Sequence, residues 1–268
     1  MVDFEQKERY DYEDLLRITQ LLRGEDGCPW DREQDHKSIR KNFVEEVYEA
    51  VEAIETDDAE LLTEELGDVL FQVVFHAQIA SEAQRFAMAD VVDGICKKLV
   101  QRHPHVFGQV TVADSGEVLK NWDAIKMKTK EQKTQTQAMQ SISTFLPALM
   151  RAEKIQQKAA KVGFDWDEIE PVYQKVQEEL AEVREAAQEQ NMAHLEEEVG
   201  DLLFAAVNLS RFLGVDAELS LKKTCEKFIK RFNYIENHAN LVYNRDMQDL
   251  SLEEMDLLWN ESKKAENK

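Results

Sequence analysis

The sequence predicts an all-α protein, and three observations carry that expectation. Glycine and proline are scarce, nine and four in 268 residues, below the usual shares of about 7% and about 5%, so few residues interrupt helices. Nearly every long segment spaces its apolar residues three and four apart, the period of one helix face, and no convincing set of strands appears. Finally, the stretch Glu45 to Asp68 recurs as Glu178 to Asp201 by one constant offset, pairing Glu45 with Glu178, Glu46 with Glu179, Glu49 with Glu182, Glu65 with Glu198 and Asp68 with Asp201. The chain reads as a duplication. Its length has room for two domains of about 130 residues, each with its own core. We expect an N-terminal domain over 1–127, a linker over 128–143, where apolar residues are few, and a C-terminal domain over 144–268.

Taken in order, Tyr10 to Arg23 is an amphipathic helix with Leu15, Leu16, Ile18, Leu21 and Leu22 on one side, ended by Gly24 and Gly27. The loop Gly27-Cys28-Pro29-Trp30-Asp31 follows, answered in the second half by Gly163-Phe164-Asp165-Trp166-Asp167. A Trp so placed either plugs a core edge, with Asp capping the next helix, or touches substrate. Each acidic stretch then predicts an antiparallel helical hairpin. Thr56-Asp57-Asp58 is centred between Glu49 and Glu65, and Asp57 with Glu60 reads as an N-cap of capping-box type. Gln190-Asn191 lies midway between Glu182 and Glu198. A helix over Met88 to Arg102 stops at His103-Pro104-His105, a histidine pair without further Cys or His at metal-ligand spacing. Lys98 and Arg102 are matched by Lys227 and Arg231, and Trp122 and Lys126 by Trp259 and Lys263. The second copy opens with a helix from Leu146 to Lys161. The last helix, Ser251 to Lys263, has Ser251 as N-cap and Glu254 completing a capping box.

The hairpins bring acids together. Glu179 and Glu182 share one helical stripe, as do Glu198 and Asp201, and the turn sets Glu182 level with Glu198 and Glu179 level with Asp201. Facing carboxylates repel and raise one another's pKa values unless a cation sits among them. The donors are hard oxygens only, which favours Mg²⁺, or Mn²⁺, over a di-iron centre. Glu46, Glu49, Glu65 and Asp68 repeat the set. A run of Glu is more often a solvated helix face, but here each acidic pair leads into an apolar run, Val69 to Phe75 and Leu202 to Val207. Paired basic side chains suit phosphate and a Trp face suits a base. Read alone, the Lys/Arg pair is a surface face and the Trp is core packing; together and duplicated they favour a triphosphate pocket.

A formal charge of −21 speaks against nucleic acid and anionic membrane as partners. An anionic ligand must bring its metal or meet locally placed Lys and Arg. The three cysteines form no Cys-x-x-Cys pair and Met1 to Tyr10 has no apolar signal core, so a cytoplasmic location is expected. The most apolar run, Val69 to Ala80, is too short to span a bilayer.

The duplicated Glu-Glu-x-x-Glu and Glu-x-x-Asp, with Gly-Cys-Pro-Trp-Asp and Arg-His-Pro-His-Val-Phe-Gly, resemble the bacterial MazG family of nucleoside triphosphate pyrophosphohydrolases over almost the whole chain. The resemblance implies tandem all-α MazG domains, a homodimer that completes four-helix bundles, Mg²⁺ dependence, and conversion of NTPs and dNTPs to monophosphate and pyrophosphate with broad specificity. It also implies a housekeeping role over nucleotide pools that extends to the alarmone ppGpp in starvation. Carried over by position, Glu179, Glu182, Glu198 and Asp201 are the metal ligands and Lys175, Lys227, Arg231, Trp259 and Lys263 surround the nucleotide. His194 stands where the family often has a Lys before its Glu run. In the first half Glu46, Glu49, Glu65 and Asp68 match, yet Asn42 replaces Lys175, so the second half is expected to be the more active. Glu178 is a candidate base, although an ideal helix turns it about 100° from Glu179, toward a dimer surface. Two alternatives stand beside this reading: a pyrimidine-restricted dUTPase or dCTPase, and a non-enzymatic acidic helical scaffold.

Overall fold

The computed structural model describes residues 4–118, 121, 122, 125 and 134–266, and among these every regular element is helical. The chain divides into two compact units, Met1–Lys126 and Met127–Lys268. The first holds α1 (Tyr12–Leu22), α2 (Pro29–Glu33), α3 (Arg40–Glu55), α4 (Ala59–Glu82), α5 (Met88–Arg102) and α6 (Pro104–Phe107). The second holds α7 (Gln135–Gln140), α8 (Ala148–Ala160), α9 (Ile169–Ala186), α10 (Met192–Phe212), α11 (Ala217–Tyr243) and α12 (Leu252–Glu266). Lys126 and residues 128–133 of the expected linker lie outside the described residues. The rest of that stretch carries α7, which packs on α8 and buries Ala138.

The units share a plan. In the first, α3 and α4 pair as a hairpin, with α1 and α5 against α4. In the second, α9 and α10 pair, α8 lies against α10, and α11 packs on α8 and α12. The long helices after the hairpin turns explain why the acidic stretches lead into apolar runs. On α4 the burial of Val74, Phe75, Ala77, Ile79 and Ala80 begins two turns after Glu65. Ile39 and Phe71 join Phe75 and Ile79 in one cluster. A second cluster, Ile235, Ala239, Leu250 and Leu258, ties α11 to α12.

Local chemistry sets the ends. Asp11 and Asp14 cap α1 reciprocally, each carboxylate accepting the other's backbone N–H at 3.0 Å, so the helix begins at Tyr12. Gly27 lets the chain double back: a Cβ there would lie 2.2 Å from the Leu22 carbonyl oxygen, which accepts the Cys28 N–H at 2.8 Å. The expected loop beyond it is partly helical, since Pro29 starts the short α2 with its φ already set.

One cap differs from expectation. The N-cap of α4 is Asp58, whose carboxylate accepts from the N–H groups of Glu60 and Leu61 at 3.0 Å. Asp57 instead takes a left-handed φ of 55°, because the chain must leave α3 through such a residue before α4 can be capped. Gln190 repeats that φ of 55° and Asn191 repeats the cap. The capping box at Ser251 and Glu254 forms as expected, at 3.2 and 2.9 Å.

Candidate active site

In the second unit the α9–α10 hairpin gathers carboxylates around Glu179, which is only 5% exposed. Glu179, Glu198 and Asp201 each offer an oxygen within 4.8 Å of the others, and Glu178, Glu179 and Glu182 do the same along α9. Glu179 belongs to both triads. Lys175, one turn earlier, places its Nζ 2.6 Å from Glu179 Oε1 and 2.7 Å from Glu178 Oε1. The shared cation thus draws Glu178 toward the cluster despite its position around the helix. Those two hydrogen bonds hold the Lys175 pKa well above its ordinary value. Crowding acts oppositely on the acids: a hydrogen bond shared with Glu179, then burial and the charges of Glu179 and Glu198, push the Glu182 carboxyl up. His194 bridges Glu189 at 2.8 Å and Glu198 at 3.1 Å, and Glu189 foremost raises its pKa.

The first unit repeats the acids without that cation. Glu46, Glu49 and Glu65 converge within 4.8 Å. Asp68 stands outside this triad, yet its charge is the second cause, after burial, of a raised Glu46 pKa. Glu65 is raised by burial and then by Glu49. Where the second unit has Lys175 the first has Asn42, and the adjacent Lys41 pairs with the exposed Glu45 at 2.9 Å. In both clusters one buried carboxylate oxygen, Glu65 Oε2 or Glu179 Oε2, has no hydrogen-bond partner.

Beside the second cluster lies a cavity of about 620 Å³ between α8, α9 and α10, bordered by Lys175, Glu179 and Asp201 and otherwise largely by apolar side chains. This size suits a small-molecule site. Three residues not singled out from the sequence shape it. Arg211 donates from Nε to Asn208 Oδ1 at 2.9 Å and from a terminal nitrogen to Asp165 Oδ1 at 2.6 Å, and the same Asp165 oxygen accepts the Trp166 N–H at 3.0 Å. The expected capping of the next helix by the Asp after the Trp, Asp167, does not occur here: α9 has Glu168 at its N-cap and no side-chain cap bond, and it is Asp165 that ties Trp166 to α10. Arg211 accordingly holds the Asp165 pKa low. Gln156, 6% exposed, donates from Nε2 to the Phe204 carbonyl at 2.8 Å. A signal for it existed, since Gln156 falls on the apolar side of α8 with Leu149, Ala152 and Ala159. At the position of Asn208 the first unit carries Phe75, 2% exposed and part of the core.

The basic and aromatic residues form their own group. The Arg231 guanidinium sits 5.6 Å from the Trp259 ring centre and Phe228 5.1 Å from it. The first unit repeats this with Arg102 over Trp122 at 5.3 Å. Lys227 is exposed on α11, and Lys263 lies 3.2 Å from Asn260 Oδ1. None of Lys227, Arg231, Trp259 and Lys263 lines the carboxylate cavity.

Two segments, residues 34–107 and 168–235, match the family described as "MazG nucleotide pyrophosphohydrolase domain". They contain both carboxylate hairpins. The chain belongs to the MazG family. It is 48% identical to the "Nucleoside triphosphate pyrophosphohydrolase" of Escherichia coli K12 over 255 residues, 94% of this chain and 97% of the relative. It is 44% identical to the "Nucleoside triphosphate pyrophosphohydrolase/pyrophosphatase MazG" of Thermotoga maritima, again over 94% of this chain, and 95% of the relative. With a Bacillus subtilis protein, YabN, it shares 45% over 97% of its own length but 53% of that longer chain. The two matches make this a tandem MazG chain. The first match begins after α2 and the second after α8, so α8 with Gln156, and the Asp165–Trp166 corner, lie outside them.

Proposed function

We propose that this chain is a Mg²⁺-dependent nucleoside triphosphate pyrophosphohydrolase, taking NTP or dNTP and water to the monophosphate and pyrophosphate, and that the second unit carries the reaction. One observation supports this above the others: Glu179, buried and common to two carboxylate triads, opens onto a cavity large enough for a nucleotide. The donor set fits a hard dication, being oxygen throughout, with the unpartnered Glu179 Oε2 a ready ligand atom. Glu179, Glu182, Glu198 and Asp201 would hold the ion. Glu46, Glu49, Glu65 and Asp68 would do so in the first unit, where the core side chain Phe75 replaces Asn208. Bound there, Mg²⁺ supplies neutralisation of charge across the phosphates. Lys175 pairs with both Glu178 and Glu179 and so holds the two carboxylates in place. Glu178, whose side chain is about half exposed, accepts a proton from the water whose oxygen bonds to phosphorus as the anhydride bond breaks and pyrophosphate leaves.

The rows beside the carboxylates argue for a homodimer. Leu180, Val199 and Leu203 on α9–α10 are exposed, Leu203 by 55%, and Val47, Leu66 and Leu70 repeat the row on α3–α4. A second copy covers such faces and completes four-helix bundles.

Product analysis tests the reading. The wild type with Mg²⁺ should release pyrophosphate, and Glu182→Ala or Asp201→Ala should lower kcat/KM by about a hundredfold or more. Alanine at Lys227, Arg231 or Lys263 should raise KM if these side chains hold phosphate. Release of single phosphate, or undiminished activity in the carboxylate variants, rejects the assignment, and an acidic scaffold predicts no turnover at all.

A further inference from the structure

The cavity beside the carboxylates contains a polar group that the hydrolytic reading leaves unused. Gln156 meets the cavity from α8, with its amide direction fixed by chemistry: the Phe204 carbonyl can only accept, so Nε2 faces it at 2.8 Å. Oε1 is therefore turned the other way, buried and without a hydrogen-bond partner. A buried acceptor left unpaired is unfavourable and is commonly explained by a group that arrives later. Asn208 is fixed in the same manner, since Arg211 Nε can only donate and so takes Oδ1.

Along α10 the lining runs from Asp201 through Phe204, Ala205 and Asn208 to Arg211, a span of roughly 15 Å at the rise of an α-helix. Asp201 marks the phosphate end, which leaves the apolar stretch around Gln156 for the nucleoside. We propose that Gln156 is a base-contacting residue that accepts a hydrogen bond from an N–H on the pairing edge of the nucleobase, a contact every common base can make. Trp166, pinned by Asp165 and Arg211, stands at the same cavity as an aromatic wall. This inference rests on the reading of the second unit as a triphosphate hydrolase. It assigns base contact to a helix outside the two segments that match the MazG family.

The four common bases each carry an N–H on that edge; purine riboside carries none. Wild-type enzyme should use ATP about tenfold better, in kcat/KM, than purine riboside triphosphate, as expected for one lost hydrogen bond. In Gln156→Leu the gap should vanish, while ATP and dATP remain alike because the sugar is not what is read. Gln156→Leu removes the unpartnered acceptor together with the Nε2 bond to the Phe204 carbonyl, two effects of opposite sign, so the melting temperature should change little, and Gln156→Met provides the same comparison with an unbranched side chain. A wild type that uses both purine substrates equally overturns the assignment. So does a Gln156 variant that keeps the gap while losing activity uniformly, or one whose loss follows the 2′-hydroxyl. Absence of pyrophosphate release from every nucleotide by the wild type would reject the hydrolase reading itself.

Discussion

Glu179 concentrates the electrostatics of the site in one side chain. It is buried, shares Lys175 with Glu178, and stands among Glu182, Glu198 and Asp201. Lys175 is consequently the residue whose loss should be felt most widely. Lys175→Met leaves Glu179 buried without its cation, so metal-free protein should melt at a lower temperature, and kcat/KM should fall by about tenfold to a hundredfold. Added Mg²⁺ should restore more of the melting temperature in this variant than in the wild type. An unchanged melting temperature would mean that Lys175 contributes nothing to the cluster. The acidic residues themselves were legible in the sequence because a period of three and four, repeated twice, admits one folding of the hairpin. Arg211 and Asp165 were not, since their partnership joins residues far apart in sequence and nothing local marks either as turned inward.

At the scale of elements, the hairpin turns convert this spacing into proximity. Both turns use a non-glycine residue at φ 55°, Asp57 and Gln190, a conformation that glycine adopts without a Cβ penalty. Gln190→Gly should therefore raise stability by up to about 1 kcal/mol, whereas Asn191→Ala, which deletes the N-cap of α10, should cost about 1 kcal/mol. Thermal melts of the two variants should move in opposite directions. The sequence placed both turns correctly but put the first cap one residue early, because the need for a left-handed residue ahead of the cap is a property of backbone geometry.

A second element contact is titratable. His36, ahead of α3, and His76 on α4 stack with ring centres 5.1 Å apart and their Nδ1 atoms 2.9 Å apart. Burial, and then His36, lower the His76 pKa from its usual 6.5. As the pH falls through 6.5 the unfolded chain takes up a proton that the folded one resists. Stability is thus lost from that point down to the folded-state pKa. Wild type should lose more melting temperature between pH 7.5 and 5.5 than His76→Gln; equal losses would remove this pair from the account.

The whole molecule carries 54 acidic against 33 basic residues, and in each unit it folds several of those acids against one another. The native state alone assembles these clusters, so a dication that binds them must stabilise folding by mass action, by about 2.7 kcal/mol when present at a hundred times its dissociation constant. General screening would act on exposed charges too, so the comparison is Mg²⁺ against Na⁺ at equal ionic strength. We expect Mg²⁺ to raise the melting temperature well beyond Na⁺, and chelation to reverse it. Glu65→Gln should abolish the part of that response belonging to the first unit while pyrophosphate release persists, because the cavity, Lys175 and Gln156 belong to the second. Glu179→Gln should remove the second unit's response and the activity together. If both variants retained the full Mg²⁺ response, the carboxylates would be surface charge and the ion would act elsewhere. If Glu65→Gln alone stopped catalysis, the reaction would belong to the unit whose Asn208 position is filled by a core phenylalanine.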